Sequence, residues 1–133
     1  MYNTTVQPAL LDQDYLHINF HEAGFSYLLP EILRLFREQS AIYLQSLETF
    51  LNQSNLKGLS EEAHSLKGAA GSVGAVALAQ AAEAIENSIA HTDLTTATAL
   101  ITQLRSISQL TDAAIVTELE QLAFQLNNEK KPS

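Results

Sequence analysis

The reactive side chains of this sequence converge on one short run, Ala63 to Ala75, which reads AHSLKGAAGSVGA. His64 stands three residues before Lys67, and Gly68 and Gly71 follow. On a helix advancing about 100° per residue, Lys67, Gly68 and Gly71 all fall within roughly 60° of His64. The apolar stripe passes one residue off, through Ala63, Leu66 and Ala70, so the His64 strip borders it and is expected to be at least partly exposed. A glycine inside a helix costs about 1 kcal/mol relative to alanine. Gly68 lies well before the next turn, so a terminal cap does not explain it. The strip therefore sets an imidazole beside a cation, with bare backbone one turn further on. Such a surface suits an anion held at the ring and a second macromolecule brought close. A lone surface histidine is ordinarily only solvated; the combination with Lys67 and Gly68 sets this one apart.

Other polar residues offer less. His17 and His21 are four apart with Glu22 adjacent, a spacing that can chelate a metal on a helix. Two ligands do not make a site, HExxH is absent, and no metal site is expected. His91 falls near a helix end, where a cation suits the dipole. Ser65 and Ser72 flank the motif without a His–Asp arrangement to activate a hydroxyl. Asp12 and Asp14 read as caps or solvated side chains. Neither GxxxxGK[ST] nor GxGxxG occurs, so neither ATP binding nor self-phosphorylation is expected.

Composition and periodicity define the scaffold beneath the strip. The 133 residues fit one domain, and a chain of this size buries roughly two-thirds of its unfolded surface. With no Cys, a disulfide framework, a thiol nucleophile and a cysteine zinc site are all excluded. Seven Lys and Arg against 15 Asp and Glu leave a net charge of −8. That balance opposes binding to nucleic acid or to an anionic membrane surface, both of which require basic patches. No apolar run approaches the roughly 20 residues of a membrane span. Met1–Leu10 has neither the basic start nor the apolar core of a secretory signal, so a cytoplasmic location is expected.

Pro8, Pro30 and Pro132 are the only prolines, and the stretch between the last two is rich in Ala, Leu, Glu and Gln, which favours helices. Apolar residues from Leu28 to Leu51 recur at three- and four-residue steps, predicting one long amphipathic helix. Asn52–Asn55 interrupts it, and Ser54 or Asn55 can cap the next helix. Leu56, Leu59, Ala63, Leu66, Ala70 and Val73 form the stripe of that second helix. Gly71–Ala75 reads as its exit turn, with Gly74 in a left-handed conformation. Leu78, Ala82, Ile85 and Ile89 mark a third helix ending near His91. Asp93 is the N-cap expected for a fourth, whose stripe runs from Leu94 to Leu122. A shorter helix is expected within Leu11–Glu22. The fold expected is therefore all-α: an antiparallel up-down four-helix bundle over residues 11–126, with a short extra N-terminal helix. Residues 1–10 and 127–133 are expected to be flexible.

The run Ala63–Ala75 resembles the signature of histidine-containing phosphotransfer (HPt) domains of two-component phosphorelays. The likeness extends over roughly Leu11 to Leu126, since those domains are similar four-helix bundles with the phosphorylated histidine exposed on the second main helix. The resemblance implies that His64 is the phosphoacceptor, that Lys67 favours the added negative charge, and that Gly68 lets a partner domain approach. It implies a phosphocarrier rather than an enzyme, taking the phosphoryl group from a receiver-domain aspartate and passing it to another receiver. No cofactor of its own is then needed; Mg²⁺ and the acyl-phosphate aspartate come from the partner. A monomer is expected, docking through Gly68 and Gly71, with Ala69, Ala75 and Leu78 as further candidates.

A neutral imidazole has a lone pair on one ring nitrogen and is a competent nucleophile toward phosphorus. The other nitrogen then needs an acceptor. If the turn centres between Val73 and Gly74, His64 and Glu83 each lie about 14 Å from it, and Glu86 about 19 Å. Side chains lean toward their helix N-terminus, so in an antiparallel pair the tips of His64 and Glu86 converge. Glu86 also matches the family position whose Gln or Glu bonds the ring. Glu86 is the preferred partner and Glu83 the alternative.

Overall fold

The structure, a computed structural model, describes residues 9–91 and 93–130, with side chains as far as residue 128. Among these residues there is no strand. A first helical turn, α1 (Gln13–Leu16), continues as a π-helical segment, His17–Glu22, and a 3₁₀ turn, Ser26–Leu28. The four long helices follow: α2 (Leu29–Asn52), α3 (Leu56–Ser72), α4 (Val76–Ala90) and α5 (Leu94–Lys130). Three-residue links force consecutive helices to run antiparallel. Helix α2 packs on α3 and α5, and α4 packs on the same two, which closes the ring of an up-down bundle.

The core is built from the stripes visible in the sequence. Leu29, Leu33, Phe36 and Leu47 come from α2; Leu59, Ala63, Leu66 and Ala70 from α3; Leu78, Ala82, Ile85 and Ile89 from α4; and Ala97, Ile101, Leu104 and Ile115 from α5. Pro30 lies in the first turn of α2, where its missing N–H costs nothing. Asn55 caps α3 by accepting from the Gly58 N–H at 2.9 Å. Asp93 caps α5 by accepting from the Thr96 N–H at 3.0 Å. Hydrogen bonds from the Thr96 hydroxyl and backbone hold the Asp93 carboxyl below the usual carboxylate range. Across α2 and α5, the Arg37 guanidinium grips both Asp112 oxygens, at 2.7 and 3.2 Å. Arg105 pairs with Glu48 between the same helices.

The link from α3 to α4 is a Schellman turn. Gly74 has φ +72°, its N–H donates to Gly71 O at 3.2 Å, and the Ala75 N–H donates to Ala70 O at 2.9 Å. The N-terminal helix is clamped onto this turn. The Asp12 N–H donates to Gly74 O at 2.8 Å, and the Tyr15 hydroxyl donates to Ser72 O at 3.0 Å. A Cβ at Gly74 would lie 3.0 Å from the Tyr15 ring, so a side chain here would crowd that ring and strain the left-handed backbone.

Gly58 permits the close approach of α3 to α2, since a Cβ there would lie 2.6 Å from Phe50 Cδ1. In Gly58→Ala the overpacking, about 1–3 kcal/mol, outweighs the helix-propensity gain of about 1 kcal/mol. A net loss of up to about 2 kcal/mol is expected, read as a lower urea midpoint at unchanged slope.

Both ends carry structure at the edges of the segments expected to be flexible. Helix α5 runs through Asn127 to Lys130, and the sequence places no helix breaker before Pro132. At the other end the Ala9 carbonyl, within the stretch expected to be flexible, accepts from the Ala77 N–H at 3.0 Å and serves the open N-terminus of α4. Residues 1–8 and 131–133, to which the remainder of both flexible segments belongs, lie outside the described residues.

Candidate functional site

The α3–α4 hairpin carries the site. His64 projects from the middle of α3 with its side chain 71% exposed, and its Nδ1 lies 3.0 Å from Glu86 Oε2 on α4. An ionised carboxylate only accepts, so the Nδ1–H of a neutral ring donates to it and Nε2 keeps the lone pair. Glu86 is half-buried, 26% exposed, which fixes the acceptor more firmly than a free surface chain would. Lys67, one turn along α3, places Nζ 4.0 Å from Glu86 Oε1 and 3.6 Å from Glu83 Oε1. The polar row thus runs His64, Glu86, Lys67, Glu83 across the two helices. Of the two carboxylates considered for the ring, Glu86 contacts it and Glu83 binds the lysine instead.

Gly68 and Gly71 both lie exposed beside this row, and a Cβ on either would meet no atom within 4 Å. Packing within the chain therefore gives no reason for glycine at either position. Ala69 is half-buried against the core. Ala75 and Leu78, expected at the docking surface, are instead core residues, 0% and 1% exposed. Ala75 turns inward directly after Gly74, and Leu78 opens the buried stripe that continues through Ala82, Ile85 and Ile89. Membership of that stripe outweighs nearness in sequence to the motif.

The remaining candidates stay apart from the row. His17 Nε2 approaches Glu22 Oε1 at 3.4 Å, and the His17 and His21 rings are 5.8 Å apart. Among the described residues no group of three His, Cys, Asp or Glu can hold a metal ion. The Ser72 hydroxyl donates to Ala69 O at 2.7 Å. Asp12 caps α1, accepting from the Tyr15 N–H at 3.1 Å, and His91 terminates α4. Ser65 and Asp14 are exposed. A cavity of about 710 Å³ lies between α2 and α5, helices that carry neither His64 nor Glu86.

The pairing of Lys67 with Glu83 escaped the sequence reading, although a signal existed: Glu83 and Glu86 share one face of α4 at three-residue spacing. Among the described residues no helix is long and apolar enough to cross a membrane.

Three comparisons with known proteins bear on this arrangement. The family model for the Hpt domain matches residues 31–125, a span that takes in α3, α4 and every member of the polar row. The crystal structure of histidine-containing phosphotransfer protein B (HptB) from Pseudomonas aeruginosa superposes with a TM-score of 0.78, at 28% identity, covering 84% of this chain and 96% of that one. A comparison with curated proteins gives no match. With the family model spanning most of its length, the chain belongs to the Hpt domain family, phosphocarriers that serve histidine phosphotransfer in phosphorelays.

Proposed function

We propose that His64 takes a phosphoryl group from the aspartyl phosphate of one receiver domain and delivers it to the aspartate of another. The Nε2 lone pair attacks phosphorus, the P–O bond to the donor aspartate breaks, and that carboxylate leaves with the electron pair. Delivery is the reverse at the second receiver. The Nδ1 proton stays on the ring throughout, hydrogen-bonded to Glu86, whose charge stabilises the imidazolium-like phosphorylated ring. Lys67, one turn along α3, supplies positive charge that favours the phosphorylated state of the ring. Because phosphoryl transfer is chiefly alignment and charge stabilisation, the remaining parts, Mg²⁺ included, can come from the receiver.

The single observation that carries this reading is the 3.0 Å contact between Glu86 and the Nδ1 of a ring that is 71% exposed. The bare strip at Gly68 and Gly71, with Ala69 beside it, supports docking of a receiver through a small, transient interface. The test is incubation with a panel of receivers phosphorylated on aspartate. The chain is expected to acquire a label that is lost in acid and kept in alkali. No label from any of them would overturn the reading and leave a helical adapter that kept the fold.

Glu86→Ala frees the ring to rotate and removes the acceptor. Transfer from a phosphorylated receiver is expected to slow about tenfold, at the lower end for loss of an orienting partner. Rapid-quench rates on the two proteins measure it; equal rates would return Glu86 to the role of a solvated side chain.

A further inference from the structure

We propose that Glu83 holds Lys67 back from the phosphoryl group of phosphorylated His64, and so shortens the time this chain keeps it. The inference rests on His64 being the phosphoacceptor. Lys67 is the one cation of the polar row, and it faces two carboxylates, Glu83 at 3.6 Å and Glu86 at 4.0 Å. Helix α4 contributes no Lys or Arg. The other cation of α3, Lys57, lies ten residues before Lys67 and pairs with Glu61 at 3.9 Å. Before any phosphoryl group arrives, the site therefore holds two negative charges against one positive charge.

Phosphorylation at Nε2 adds a third anion competing for the same ammonium. His64 and Lys67 share a helix face at three-residue spacing, and the lysine stem is flexible enough to serve either helix. Glu86 cannot report on the competition, because removing it also releases the ring. Glu83 can, since its described partner is Lys67. It acts through the lysine and is a positioning residue, not a catalytic one.

The direction follows from the chemistry of loss. In hydrolysis a water oxygen attacks phosphorus, the P–Nε2 bond breaks, its electron pair returns to Nε2, and both water hydrogens leave with the phosphate. The transition state is loose and metaphosphate-like, so its three peripheral oxygens together approach one negative charge, where those of the ionised phosphohistidine carry two. An ammonium resting on those oxygens therefore favours the intact phosphohistidine over the transition state. By drawing the ammonium away, Glu83 speeds the loss. Lys67 and Glu83 are 40% and 50% exposed, so the effect is limited to about two- to fivefold, the range that exposed ion pairs reach.

The test uses the full chain phosphorylated with phosphoramidate, which needs no receiver. After removal of the donor, decay of phosphorylated His64 is followed by phosphorus NMR. Glu83→Gln is expected to lengthen the lifetime two- to fivefold, Glu83→Asp to restore it toward the wild-type value, and Glu83→Gln to have no effect when Lys67→Gln is also present. An unchanged or shorter lifetime in Glu83→Gln, or a lengthening that persists without Lys67, would overturn the inference and leave the proposed function standing. A wild-type chain that accepts no phosphoryl group at His64, from phosphoramidate or from any receiver, would overturn both.

Discussion

Replacing His64 with Gln is expected to leave a fully folded bundle that takes up no phosphoryl label from any receiver. The side chain is 71% exposed and packs against nothing in the core, so the stability change should stay within about 0.5 kcal/mol. The amide of Gln can still donate to Glu86, which keeps the hairpin's polar row largely intact. What disappears is the lone pair. An amide nitrogen is no nucleophile toward phosphorus, and no neighbouring group replaces it: Ser65 is exposed without a base, and the Ser72 hydroxyl is spent on Ala69 O. The expected loss is at least about 10³-fold, the scale seen when a nucleophile is removed outright. Urea denaturation and transfer measured on the same preparation separate the two effects. A label that survived the substitution would take His64 out of its role.

The second large effect is expected at Gly68. In Gly68→Gln the new Cβ meets no atom within 4 Å beyond the helix's own nearby backbone, and position 68 is exposed, so the side chain has open space to extend into. The helix should gain about 1 kcal/mol from the loss of a mid-helix glycine. Stability therefore rises while receiver-dependent transfer falls. A side chain reaching several ångströms outward beside His64 keeps a receiver from closing on the ring, and misplacement by about 1 Å costs on the order of 10²-fold in rate. Phosphorylation by phosphoramidate, a small molecule, should be nearly unchanged. Opposite signs in stability and transfer, with the chemical reaction preserved, identify a docking effect. Normal transfer from a receiver would show that the glycine serves some other end.

The fold was readable because most of its determinants are local. The 3,4-spaced stripes named nearly every core residue, and the caps at Asn55 and Asp93 and the left-handed Gly74 fell where side-chain chemistry and backbone sterics demand. At the site, the distance of each residue from the turn and the lean of helical side chains brought Glu86 toward His64, because both depend only on the geometry of a helical hairpin. Other features depend on choices that spacing does not encode. The pairing of Lys67 with Glu83 is decided by the rotamers of two long side chains. The π-helical stretch His17–Glu22 and the 3₁₀ turn after it arise where a short segment adapts to the end of a bundle already formed. The same is true of Gln13, whose amide reaches the buried Glu118 from a position 105 residues earlier at 2.8 Å. Leu78 lies on the α4 stripe, whose spacing marks it as interior, whereas Ala75 lies in the turn, where burial depends on how the hairpin folds back and not on spacing.

The Schellman turn has a bearing on which parts of this protein can vary in length. His64 and Glu86 face each other across a single link of three residues, Val73 to Ala75. One residue added there would break the Gly74–Gly71 and Ala75–Ala70 hydrogen bonds that fix where α4 begins, and once absorbed into the first turn of α4 it would rotate that helix by about 100° and slide it by about 1.5 Å. The acceptor would swing away from the ring, and Leu78 would leave the interior in the same motion. Additions between α2 and α3, or between α4 and α5, would not alter that facing pair. Histidine and carboxylate thus travel as one cassette, free to be carried by bundles whose other connections are cut, lengthened or joined to further domains, so long as this one hinge keeps its count.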